Sequence, residues 1–160
     1  MCRQVTCIEG GGGSYIGAID CTKRLDQVTS LFLNSTFCLQ PPGDSWTRKS
    51  LFDSLVSGCI PGLFSPLSAY DQYKWHLPQN PNIYSLMFDA SEVTHAHVDI
   101  LTSLEQIASD IIRLHQMQLD IIDMLPHIVY AMPPPYQQAL GFRDVVDIAL
   151  ERLLNTSSEI

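Results

Sequence analysis

The segment QPPGDSWTRKS, residues 40–50, concentrates groups that could hold an anion. Gly43 would let the backbone approach a ligand closely. Ser45, Thr47 and Ser50 carry hydroxyls, and Asp44 lies beside them. Arg48 offers a planar fork suited to phosphate oxygens, and Lys49 adds a point charge. An apolar run with helical spacing follows at once, and the free N–H groups of a first helical turn favour anions. Together these residues describe a cradle for a diphosphate. The G-x-x-x-x-G-K-[ST] and G-x-G-x-x-G patterns are absent, which argues against a P-loop NTPase and a nicotinamide dehydrogenase. Asp53 has two readings. It could close a capping box with Ser50, or accept hydrogen bonds from sugar hydroxyls. Spacing alone leaves both open.

The rest of the chain limits what that anion can be. It has 160 residues, enough for one domain with a real core, and 46% of them are hydrophobic. Nine Lys and Arg against seventeen Asp and Glu give a net charge of -8. A nucleic-acid binder would show a broad basic footprint, so the cations at 48 and 49 point to a small ligand. No apolar run is long enough to span a membrane, and the N-terminus lacks the apolar stretch of a signal peptide. Five cysteines show no CxxC pair and no metal-type spacing with histidine. Cys38 and Cys59 lie in apolar runs and are expected to pack as free, small hydrophobes. Cys2, Cys7 and Cys21 lie in or beside loops, where a disulfide could form in a secretory lumen. The compartment stays open on these grounds.

The elements that must position the cradle read as alternating strands and helices. YIGAIDC (15–21) is a predicted strand, and 24–35 a helix with apolar residues at 25, 28, 31 and 32. TFCLQ (36–40) is a buried-type strand, 50–57 a short helix stopped by Gly58, and CIPGLF (59–64) a further strand. Pro61 suits the beginning of that strand. IYSLMF (83–88) adds a fourth strand. A single helix is predicted over 104–125, with apolar residues at 104, 107, 108, 111, 114, 119, 122 and 125 and His115 among them. Another covers 142–154, with Phe142, Val145, Val146, Ala149 and Leu153 on its face. The order is that of a parallel sheet with crossover helices, an α/β fold. In such sheets ligands bind at the carboxyl ends of the strands, where 40–50 falls. The implied organisation is a flexible segment over 1–14, an α/β domain over 15–131, and a linker with a closing helix over 132–160.

Two stretches carry a resemblance. STFCLQPPGDSWTRKSLFDSLVSGCIP (35–61) and SAYDQYKWHLP (68–78) closely resemble the exostosin-like glycosyltransferases of family 47, nearest to the plant xyloglucan galactosyltransferase branch. The likeness is strong over the first half of the chain and weaker through LPHIVYA (125–131) and the last helix. It implies the C-terminal half of a B-type glycosyltransferase fold, in which two Rossmann-like halves face each other across a cleft, and makes 15–131 a Rossmann-like nucleotide-sugar-binding domain. This half would bind a UDP-sugar donor through Gly43, Asp44, Ser45, Thr47, Arg48, Lys49, Ser50 and Asp53, with Asp53 facing the ribose or sugar. The absent N-terminal half would hold the polysaccharide acceptor, a cell-wall glycan such as xyloglucan. No bound metal is expected, so helix dipole and basic side chains would stabilise the leaving diphosphate. The resemblance places such enzymes at the Golgi membrane or lumen. The catalytic base would come from the absent half, and none is named. The alternative is a truncated, non-catalytic remnant that binds a nucleotide sugar or a protein partner only. A weaker third reading is a generic α/β interaction domain.

Beside the absence of the expected N-terminal half, the larger departure from the family pattern, the others are local. Lys49 replaces an arginine and loses a bidentate fork. Gly62 and Leu63 stand in place of Val-Phe, and Ser65 and Leu67 in place of a His and a Gly. The strip EVTHAHVDI (92–100) lacks the basic character usual there. Tyr70, Tyr73 and Trp75 are expected to pack under the loop, and His76 to be a satisfied structural residue. His95 and His97 lack a third ligand at useful spacing. Asn34 and Asn155 head glycosylation sequons, and Asn34 also suits a helix stop.

Overall fold

A computed structural model describes residues 6–8, 25–41, 45–95, 98–131 and 141–157. The predicted strand at 15–21, most of the segment 1–14 and the start of the linker at 132–140 lie outside these residues, as do Cys2, Cys21 and His97. The sheet has four strands in the order β1 (Thr6–Ile8), β2 (Phe37–Gln40), β3 (Ile60–Leu63) and β4 (Leu86–Met87). β2, β3 and β4 run parallel, as predicted, with Phe37 opposite Ile60 and Gly62 opposite Leu86. β1 pairs antiparallel with β2, so part of the segment expected to be flexible completes the sheet edge.

β3 is buried along its whole length, as a strand covered on both faces must be. Pro61 sits inside it, and the hydrogen-bond pattern explains why it is tolerated. The Ile60 N–H points to β2, donating to the Thr36 carbonyl at 2.9 Å. The next nitrogen faces the opposite side, and there β4 begins only across from Gly62. Pro61 therefore forfeits no ladder bond. At Gly62 a Cβ would come within 2.7 Å of Leu39 Cδ2 and 3.1 Å of Phe88 Cε2. Those two side chains occupy the space that the valine of the family pattern would need.

Helix α1 (Leu25–Leu33) turns Val28, Leu31 and Phe32 inward against Cys38 and Cys59. The two cysteines are not free hydrophobes. They form a disulfide with Cα atoms 5.9 Å apart, across 21 residues of sequence. Their apolar setting concealed the pairing, because a buried thiol and a buried cystine need similar surroundings. Helix α2 (Lys49–Val56) buries Leu51 and Leu55. Gly58 ends it at φ +72, with its N–H donating to the Leu55 carbonyl and that of Cys59 to the Ser54 carbonyl. This is a Schellman motif, in which glycine alone avoids a steric penalty.

Three corrections concern the second half of the described chain. The strand expected over 83–88 shrinks to two residues, because Asn80-Pro81 starts a 3-10 turn over Pro81–Ile83. The helix expected over 104–125 divides into α4 (Ile100–Ser109) and α5 (Ile111–Met124), after the short α3 (Ala90–Thr94). Asp110 breaks it at φ −86, ψ 79, and its carboxylate accepts from the Arg113 N–H at 3.1 Å. The break resets the helical phase. Met117, Ile121 and Met124 face the core, while Ile111, Leu119 and Ile122 of the predicted face are exposed. Helix α6 (Val145–Ser157) likewise buries Ile148 and exposes Val146 and Leu153. The main core joins Leu51 and Leu55 of α2, Ile60 and Leu63 of β3, Leu104 of α4 and Met117 and Ile121 of α5.

Candidate functional site

The loop from β2 to α2 leaves the carboxyl end of the parallel sheet, where its sequence placed it. Gln40 is the last residue of β2, and Lys49 the first of α2. Gly43 and Asp44 lie outside the described residues. Arg48 holds the N-cap position with extended backbone (φ −134, ψ 121), and its side chain makes no capping bond. No acidic residue occupies the first turn. The amino end of α2 therefore keeps its partial positive charge, with a half-buried guanidinium on its threshold. Arg48 enters no ion pair with a described residue.

The remaining candidates differ in availability. Ser45 Oγ donates to the Thr47 carbonyl at 3.0 Å, which tightens the exposed turn. Thr47 Oγ1 donates to Gln72 Oε1 at 2.8 Å and ties the loop to the segment after β3. Phe52 and Tyr73 strengthen that junction edge to face, their ring centroids 4.8 Å apart. Lys49 Nζ donates to both carboxylate oxygens of Asp53, at 2.5 and 2.7 Å. The two form an i,i+4 pair on the open face of α2, with the lysine side chain 81% exposed. The capping-box reading of Asp53 lapses, because Ser50 stands inside the helix rather than at its cap.

Ser50 belongs to the framework. Its Oγ donates to Gln40 Oε1 at 2.7 Å, and its single hydroxyl hydrogen is committed there. Sequence reasoning missed Gln40 and Gln72 as partners of this loop. The available signal was a carboxamide ending an otherwise apolar strand run, a buried polar group that must find bonds.

Of the aromatic residues after β3, Tyr70 and Tyr73 pack against the core as expected, whereas Trp75 is exposed. Tyr70 Oη bonds Ser85 Oγ at 2.9 Å, and its ring meets Tyr84 edge to face. His76 departs from expectation: its Nδ1 is buried without a hydrogen-bond partner. A separate cavity of about 330 Å³ opens beside β4, lined by Leu86, Phe88, Ile107 and Arg113 among others. It shares no lining residue with 45–53.

Residues 5–104, the portion that contains β1 to β4 and this loop, match the Exostosin GT47 domain. The chain belongs to that family. It is 37% identical over 158 residues to Xyloglucan galactosyltransferase XLT2 of Arabidopsis thaliana, covering 99% of this chain and 28% of that one. It is 40% identical over 155 residues to Xyloglucan-specific galacturonosyltransferase 1 of the same plant, covering 96% and 21%. Xyloglucan galactosyltransferase MUR3, also from Arabidopsis thaliana, is 37% identical over 80% of this chain and 20% of its own. The chain thus spans less than a third of the length of these relatives. No solved structure matches it significantly. The β2–α2 loop lies within the residues matched to that domain.

Proposed function

We propose that this chain is the donor-binding part of a glycosyltransferase that moves a sugar, galactose or a related one, from a UDP-sugar to a cell-wall polysaccharide such as xyloglucan. It would form the C-terminal half of a B-type fold and work with a partner half that holds the acceptor. The observation that carries this reading is the amino end of α2. It stands at the carboxyl edge of a parallel sheet, without a side-chain cap and with Arg48 beside it. When the bond from sugar C1 to phosphate oxygen breaks, the departing diphosphate gains negative charge. Fixed N–H dipoles and the guanidinium of the N-cap residue would stabilise that charge with little reorganisation. The reading assigns this task to protein groups rather than a resident metal ion. Gly43, Asp44, Ser45, Thr47 and Arg48 would line the diphosphate. Lys49 and Asp53 would meet the sugar or ribose once the ligand exchanges for their mutual ion pair. The names of the relatives support the substrate class, and the disulfide supports a secretory compartment such as the Golgi lumen.

Calorimetric titration of UDP into the chain tests the assignment. Arg48→Ala should weaken binding by about 1.5–3 kcal/mol, the value of a charge-assisted hydrogen bond. Wild-type affinity in that variant would sink the proposal.

A further inference from the structure

We infer that Gln40 is a positioning residue: its carboxamide fixes the first turn of α2 against the end of β2 and so sets where Arg48 stands for the diphosphate. The inference rests on the donor-binding reading above only for its last clause. Gln40 closes β2 and is 4% exposed. Its Nε2 donates to the Ser50 carbonyl at 3.2 Å and to Ser54 Oγ at 3.4 Å. Its Oε1 accepts from Ser50 Oγ at 2.7 Å. Ser54 Oγ, in turn, donates to the Leu51 carbonyl at 2.7 Å.

The orientation of the carboxamide follows from chemistry. The Ser50 carbonyl can only accept, so the amide NH₂ must face it, and Oε1 is left to take the Ser50 hydroxyl hydrogen. Both amide hydrogens and the carbonyl oxygen are then used. A buried network with every member satisfied holds one geometry, whereas a half-satisfied one does not. The clamp joins residues ten apart in sequence, and the described part of the chain between them, 41 and 45–48, has neither helix nor strand. Arg48 lies two residues before the clamped Ser50, so rotating the first turn would carry the guanidinium with it.

The test combines UDP titration with local amide exchange on the whole chain. Gln40→Met keeps length and apolar volume but removes all three bonds. It should lower UDP affinity about tenfold or more while the protein stays folded by circular dichroism, and should speed exchange of the amides at 53 and 54, which bond to the carbonyls of the first turn. A structural role alone would lower the melting temperature and leave the affinity of the folded protein unchanged, which would overturn the proposal. Gln40→Glu provides the rescue arm. Its buried carboxyl is expected to titrate above the ordinary carboxylate range, so acidification restores one donor hydrogen. Its affinity relative to wild type at each pH should therefore recover toward pH 5. A flat ratio would count against the clamp. If the wild-type chain binds no UDP, the donor reading fails instead, and amide exchange at 53 and 54 still decides the clamp: unchanged protection in Gln40→Met overturns it.

Discussion

The unit β2–α2–β3 and the pair α5–α6 solve the problem of apolar surface in opposite ways. In the first, Phe37, Leu51, Leu55, Ile60 and Leu63 are all buried, and a disulfide and the Gln40 network bind strand to strand and strand to helix. In the second, α6 turns Val146, Leu150, Leu153 and Leu154 outward at helical spacing, and α5 does the same with Ile111, Ile112 and Ile122. Scattered exposed apolar residues are ordinary, but a stripe at i, i+4, i+7 and i+8 is a helix face. The difference teaches where rigidity is concentrated. The candidate anion-binding loop is framed by packed and bonded groups, whereas Ile148 is the only residue of α6 that is buried among those described.

One paired substitution breaks the comparison most sharply. Leu55→Lys places an ammonium among the buried side chains of the main core, and should cost more than about 4 kcal/mol and abolish folding. Leu154→Lys, on the open face of α6, should change stability by less than about 0.5 kcal/mol. Chemical denaturation followed by circular dichroism measures both. Equal losses would show that α6 is as integrated as α2. Replacing Cys38 and Cys59 by alanine comes next. It releases a loop closed across 21 residues and should lower stability by about 3 kcal/mol. Since that loop carries all the candidate site residues, UDP affinity should fall with it.

The same contrast marks what the sequence made legible. The elements β2, α2 and β3 were foreseen within a residue or two, because apolar spacing, a glycine stop and a buried strand all agreed there. The carboxyl-end position of the loop followed from topology. What escaped depended on partners distant in sequence. Ser50 resembles a phosphate donor until Gln40 is seen to take its hydrogen, and Cys38 resembles a small hydrophobe until Cys59 lies beside it. Helices α4 and α5 were fused because Asp110 interrupts the backbone without a glycine or proline to announce it. Once the phase slipped there, the inward face of α5 was misread.

Acid sharpens the comparison further, because α6 relies on a carboxylate. Asp144 is buried and accepts N–H groups from Ala131, Val146 and Asp147 at 3.0, 2.8 and 3.1 Å. Asp147 returns the favour to the Asp144 N–H at 3.2 Å, completing a reciprocal cap. The Ala131 amide, followed by those at the helix start, holds the Asp144 carboxyl below its ordinary range against the opposing effect of burial. A folded-state pKa below the unfolded one contributes stability at neutral pH that is lost as pH falls through the folded value. The loss should therefore begin below about pH 4, near the unfolded carboxylate pKa. Asp144→Asn keeps an acceptor but no charge, so its denaturation midpoint should decline less between pH 5 and pH 2. Amide exchange should locate the acid-induced opening in α6, before α2 responds. Simultaneous opening would remove the distinction between the two regions.

A small effect is expected where the regions meet. Tyr84 is fully buried in the core shared by Leu55 and Ile121, and its hydroxyl has no hydrogen-bond partner. Burial, then the neighbouring Tyr70, pushes its ionisation far above the ordinary tyrosine value. Removing an unsatisfied buried hydroxyl spares its desolvation cost, so Tyr84→Phe should leave stability unchanged or raise it by up to about 1 kcal/mol. Tyr70→Phe should lower it by about as much, because the Tyr70 hydroxyl is bonded to Ser85. The wild-type chain should also lose stability above pH 10, as the unfolded tyrosine ionises and the folded one does not. Tyr84→Phe should reduce that alkaline slope. A clear destabilisation by Tyr84→Phe would mean that its hydroxyl holds a group or a water across the seam, and that the two regions are coupled there by a polar contact as well as by packing.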